Sequence, residues 1–224
     1  MNRLILVFLS VFTFSLKPFA QTFEIKAGAN FSTMFFNDEI GYISSKDYQM
    51  VPRLLFGVAA EFPLAGSFSY ETGLLFSSKG YKLDTFYPIP NYQGEYAPVY
   101  DNTTLNYIEI PLLLKASAKL KNLPVLFTLG PYFGMGLNGK AIRSIYNWEK
   151  ETSERKTFKN QFGKDSNWKR PDYGLQAGAG VEIQNIVLKL HYSYGLANIS
   201  QMNSITAKNR AIGLTLGYKF FTTD

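Results

Sequence analysis

The heptapeptide GMGLNGK, from Gly134 to Lys140, has the glycine spacing of a dinucleotide loop and most of a phosphate-binding P-loop. The P-loop needs Ser or Thr after its Lys to hold magnesium, and Ala141 stands there. No later apolar run ends in an Asp suited to that metal. The alternation around the motif gives a simpler account: Gly134 and Gly136 face the inside of a strand, and Asn138-Gly139 begins a loop. His191 is the single histidine, so a Ser-His-Asp triad elsewhere or a His-rich metal site is ruled out, and only a partnership with Glu182 stays open.

Five carboxylates, Glu24, Glu61, Glu71, Glu109 and Glu182, share one parity with Lys26, Arg53, Lys79, Lys115, Lys119, Lys189, His191 and Lys219. A glycosidase would need an isolated carboxyl pair. This mixture suits a network of mutually neutralised charges, which is a structural role. No catalytic, cofactor-binding or metal-binding residue is expected, and no cofactor.

The elements that must hold these side chains are strands. Period-two alternation runs near residues 22 to 34, 51 to 62, 67 to 82, 104 to 119, 124 to 139, 171 to 183, 186 to 199 and 209 to 221. In the last of these Ile212, Leu214, Leu216, Tyr218 and Phe220 oppose Ala211, Gly213, Thr215, Gly217 and Lys219. Pro111 and Pro131 interrupt two segments, and Pro111 is expected to mark a bulge or local break. Connections alternate in length. PLAGS, LKNL and QN are short, whereas FNDEIGYISSKDYQMV, LDTFYPIPNYQGEYAPVYDNTT and the stretch after Lys140 are long, with NISQMNSITAK between. Short turns at one end and long loops at the other are the mark of an outer-membrane barrel.

A soluble lipocalin-like barrel would bury the apolar face instead. The glycines oppose that choice: Gly28, Gly57, Gly73, Gly174, Gly178, Gly180, Gly213 and Gly217 lie on the polar face, where a narrow barrel must alternate small and large residues. With Gln184-Asn185 as a two-residue turn, Gly180 stands opposite Lys189 and Gly178 opposite His191. The charged face is therefore the lumen, and Glu182 is expected to pair diagonally with Lys189.

The first twenty residues, MNRLILVFLSVFTFSLKPFA, carry Arg3, an apolar run from Leu4 to Leu16 and Ala20, the layout of a secretory signal peptide. The expected organisation is a signal peptide over 1–20 and a barrel domain over 21–224. There is no cysteine, so an exported chain of this kind relies on backbone pairing and packing. The net charge is +6, and the stretch from Lys140 to Arg170 holds nine Lys or Arg against four Asp or Glu, which reads as a basic, irregular loop. Export argues against nucleic acid, and an anionic membrane surface is the natural partner.

The segments FEIKAGANFSTM, FSYETGLLFSSKGYKL, LNYIEIPLLLKA, FTLGPYFGMGL, YGLQAGAGVEI and AIGLTLGYKF resemble the PorT-like outer-membrane β-barrel domain of Bacteroidota, within the porin family. The resemblance implies an eight-stranded barrel in the outer membrane. It carries over no functional residue; the name-giving member is linked to protein secretion, whereas most members have no assigned activity. Together these readings give an all-β, eight-stranded antiparallel up-and-down transmembrane β-barrel after a signal peptide. The expected function is a non-enzymatic structural or interaction component, a monomer in contact with outer-membrane lipid and lipopolysaccharide, with protein partners at its extracellular loops. A narrow solute pore is the alternative, ahead of a soluble binding barrel and of an outer-membrane hydrolase or acyltransferase.

Overall fold

The computed structural model describes residues 22–38, 47–88, 96–121, 123–147, 152–163 and 166–220. The signal-peptide expectation over 1–20 lies outside the described residues. Ten strands are present: β1 (Thr22–Asp38), β2 (Tyr48–Gln49), β3 (Val51–Pro63), β4 (Phe68–Pro88), β5 (Tyr96–Leu120), β6 (Leu123–Asn147), β7 (Thr152–Lys159), β8 (Pro171–Ile183), β9 (Ile186–Gly195) and β10 (Ile205–Phe220). Eight of them close a ring in the order β1, β3, β4, β5, β6, β8, β9, β10, every neighbouring pair antiparallel. Closure is made by β1 on β10, in continuous register from Phe23 opposite Phe220 to Asp38 opposite Ile205. β2 pairs β4, and β7 hangs on β6.

The alternation sorts the side chains as the sequence implies. Ile25, Leu54, Phe56, Val58, Leu74, Leu114, Leu129, Leu175, Leu188, Leu190, Leu214 and Leu216 are exposed on the outer face. Leaving so many large apolar groups outside would be untenable in water, and it is what a bilayer requires. Aromatic residues border this belt. Phe23 stacks on Phe220 and Phe62 lies against Tyr70 at the short-turn end, while Phe35, Tyr173, Tyr192 and Tyr194 stand at the other. Among the described residues no helix is long and apolar enough to cross a membrane.

The short turns are tight. Gly66 in PLAGS takes φ +58°, and Gln184 adopts φ +54° in the two-residue turn that sets Gly180 opposite Lys189 and Gly178 opposite His191. At the long-loop end the strands outrun the expected boundaries. β5 and β6 each run 25 residues, whereas a barrel strand needs about 9 to 11 to span a bilayer. Much of what reads as loop is therefore sheet. The basic stretch is not irregular but a hairpin of β6 and β7, and Asn138-Gly139 does not open a loop, because β6 continues to Asn147. Pro111 lies in a break of the ladder to β4 and borders one at Leu112 and Leu113 in the ladder to β6, whereas the register shift falls higher, at Asn106/Tyr107, where Leu137 of β6 is the extra residue.

Candidate functional site

The inward residues of the eight strands meet in a lumen filled by three tiers of charge. Nearest the short turns, Lys115 lies 2.7 Å from Glu61 and 3.2 Å from Glu182, and Lys219 lies 3.1 Å from Glu61 and 2.6 Å from Glu182. These four side chains come from β3, β5, β8 and β10 and alternate in sign across the barrel. Ser69 donates a further hydrogen bond to Glu61 at 2.6 Å. The next tier is drier. Glu71 accepts from Lys26 at 2.6 Å and from Lys189 at 2.8 Å, and Glu24 lies 3.4 Å from Lys26.

In the third tier Lys79 sits 2.7 Å from Glu109 and 3.1 Å from Asp172, with its ammonium 4.1 Å from the Tyr132 ring centre and 5.5 Å from that of Tyr107. Asn209 donates to Asp172 at 2.9 Å and to the Tyr107 hydroxyl at 3.3 Å. Burying a lysine between aromatic faces and two carboxylates offsets the loss of hydration by charge pairing and cation–π attraction.

Glycines make this packing possible. A Cβ on Gly217 would overlap the Glu24 carboxylate, and one on Gly213 would overlap the His191 ring. His191 is buried in the lumen, and its Nδ1 has no hydrogen-bond partner among the described residues. The void beside Lys26, Glu71, Gln176, Lys189 and His191 holds about 10 Å³, the lower limit for one water molecule.

Above the charge tiers the lumen is capped by an apolar cluster. Phe36 stacks on Tyr48 at 4.2 Å and meets Tyr81 edge-on at 5.3 Å, Trp168 lies within 6.3 Å of both Phe36 and Tyr81, and Phe162 packs edge-on against Tyr107 at 5.5 Å. Leu83, Leu105 and Ile199 complete it. Phe162 and Trp168 arrive from the connection between β7 and β8, so part of the basic stretch serves as a stopper. Phe162 fills the space that a side chain at Gly136 would need, and the Gly136 amide donates to Arg170 O at 2.8 Å. No phosphate cradle exists at GMGLNGK.

Most of the residues expected in the lumen are there, with three corrections. Glu182 does not pair with Lys189: its partners are Lys115 and Lys219, while Lys189 turns to Glu71. Cross-lumen reach wins over the diagonal neighbour because the barrel is narrow enough for lysines to cross it. Lys119 is exposed at the short-turn mouth and joins no ion pair among the described residues. Arg53 takes no carboxylate there either, donating to Asn102 Oδ1 at 2.6 Å and Thr103 O at 3.3 Å near the long-loop end. Asp172 is the acid that sequence reading passes over, although it shares the parity of Gly174. At the opposite mouth a cavity of about 520 Å³, bordered by Ser117, Lys119, Pro124 and Glu182, ends on the first charge tier. Among the described residues no three His, Cys, Asp or Glu side chains are grouped to hold a metal.

Residues 19–201 match the family described as outer membrane protein beta-barrel domain. The chain belongs to that family. It is an outer-membrane β-barrel protein, and its apolar outer face is the lipid-facing one. No curated protein matches the sequence. Among solved structures it is similar to Neisserial surface protein A, NspA, at 12% identity over 90% of this chain and 97% of that one, with a TM-score of 0.40. It is also similar to OprG of Pseudomonas aeruginosa, at 10% identity, 91% and 97% coverage and a TM-score of 0.46. For Ail of Yersinia pestis, solved with the heparin analogue sucrose octasulfate, the figures are 12%, 90%, 99% and 0.34.

Proposed function

We propose that the protein is a closed, non-enzymatic barrel of PorT-like type, a membrane-embedded structural or interaction component that works through its extracellular side. The observation that carries this reading is the filled lumen, in which three tiers of paired charge lie under an aromatic cap. A conducting pore needs a continuous water path, and an enzyme needs convergent groups open to substrate. Paired charges with almost no void between them favour neither. The surface left for work is outside, where β4 to β7 rise well past the apolar belt and display Tyr100, Arg143 and Arg155. A protein partner on that platform, and a part in secretion like that of the name-giving relative, are consistent with its reach.

The alternative, a narrow solute pore, draws support from the cavity at the short-turn mouth, but that cavity stops at the ring of Glu61, Lys115, Glu182 and Lys219. The test has two arms. Reconstituted in planar bilayers, the protein is expected to show no steady conductance, and a stable open current overturns the closed-barrel reading. Pull-down from native membranes should recover a protein partner that is lost when residues 144–157 are replaced by a short turn. That deletion spares Phe162 and Trp168, so the cap stays in place. Recovery of the same proteins with and without the hairpin would remove the platform from the interaction.

A further inference from the structure

The outer face of the barrel changes character abruptly at the long-loop end. On β6 the outward residues Phe133 and Met135 are apolar and half exposed; the bulge residue Leu137, also exposed, and Asn138, hydrogen-bonded to Asn106 of β5 at 2.7 Å, come next, and then Lys140. Lys140 stands directly opposite Lys159 of β7, and both are exposed. Like charges directly opposed across a strand pair destabilise it, so this arrangement is costly unless an anion lies between them. Among the described residues neither lysine has an acidic partner. On the same face, Arg155 lies 4.0 Å over the Tyr100 ring, and Lys82 is held by Asp84 at 2.9 Å. Asp84 is the acid of this patch, and it is already paired.

The pattern repeats across the barrel. On β10, Ile212 is followed outward by Arg210 and then Lys208. The Arg210 guanidinium lies 3.6 Å over Tyr194 and is anchored on Gly195 O at 2.7 Å and Asn209 O at 2.9 Å. Among the described residues the other end has no such belt: its outward positions include Phe62, Tyr70, Leu123, Ile183, Ile186 and Tyr218, Lys121 sits in the turn itself, and Lys119 borders the lumen mouth.

We infer that the Lys140–Lys159 pair is a binding site for the phosphorylated headgroup of an outer-leaflet glycolipid, a lipid A-type molecule with two phosphates. Its acyl chains would lie on the apolar belt directly below, and Arg155 would extend the site upward. An apolar surface that ends in unneutralised cations on one side only fits an amphiphile with an anionic head, present in one leaflet. Two strand positions, about 7 Å, separate Asn138 from Lys140, which puts the ammonium groups at headgroup depth. The inference needs only the outer-membrane setting, and it stands whether or not the barrel is closed.

The test uses the whole mature protein in phosphatidylcholine nanodiscs containing bis-phosphorylated lipid A, dephosphorylated lipid A or phosphatidylglycerol. Retained lipid is read by native mass spectrometry. The bis-phosphorylated form should be retained preferentially, with about fivefold weaker retention for each of Lys140→Gln and Lys159→Gln, the effect of one basic residue at an anionic surface. Lys119→Gln and Lys121→Gln, at the other end, should change nothing. The melting temperature supplies a second readout. Lys140→Gln should raise it in phosphatidylcholine alone, where the repulsion is relieved, and lower it when bis-phosphorylated lipid A is present. Equal retention of dephosphorylated lipid A or of phosphatidylglycerol, or a shift of the same sign in both lipids, would overturn the inference.

Discussion

Glu71 neutralises two lysines at once, and both Lys26 and Lys189 are almost wholly shielded from water. Removing it leaves buried Lys189 without a carboxylate and Lys26 with Glu24 alone at 3.4 Å, so Glu71→Ala should destabilise the barrel by about 3 to 5 kcal/mol, measured by urea titration of the folded fraction in lipid. Glu182 is a different case. Its side chain is 27% exposed, and Glu61 still holds both of its lysines when it is gone. Glu182→Ala should therefore cost about 1 kcal/mol or less in the same titration. Gly217→Ala pushes a methyl group into the Glu24 carboxylate, with an expected loss of about 1 to 3 kcal/mol. Parity made the lumen set legible, down to Gly178 beneath His191. It did not reveal who pairs with whom, because alternation records the face of one strand, whereas Lys115 and Lys219 choose partners across the lumen.

At the level of strands, the apolar face tells the same story in lipid. Leu216 is 57% exposed on β10. Leu216→Arg should lower stability by about 2 to 4 kcal/mol if the residue lies near the bilayer midplane, read as a drop in folded fraction in vesicles. The segment from Phe162 to Trp168 is the second element that invites measurement. In a Trp148→Phe background Trp168 should emit at short wavelength and resist acrylamide quenching, and ready quenching would contradict the cap. The eight barrel strands were legible because a bilayer imposes strict alternation on them. Above the bilayer that constraint lapses. There β7, with the sequence TSERKTFK and every residue exposed, carries no apolar period, and the upper ends of β5 and β6, residues 96–103 and 140–147, read as loop for the same reason. The cap was hidden likewise, since Phe36, Tyr48, Tyr81, Phe162 and Trp168 come together only when four separate segments converge.

For the molecule as a whole, a barrel closed on itself and wedged with ion pairs should resist detergent until heated. Unboiled and boiled samples should run at different mobilities on a gel, and identical mobility would argue against a closed ring. The closure also governs how the chain reaches this state. β1 finds its partner in β10, so the seam joins residues almost two hundred positions apart, from Phe23 with Phe220 onward. Pairing over such a separation is slow, because the entropy of closing the loop is lost before the contact forms. Until the last strand is in place, β1 and the latest strand both present bare hydrogen-bonding edges beside a greasy surface, the combination that drives strand-to-strand aggregation. Folding of this chain is thus an all-or-nothing event decided at its far end. An escort that shields both edges during transit becomes a requirement, and any truncation short of β10 should yield an aggregate instead of a smaller barrel.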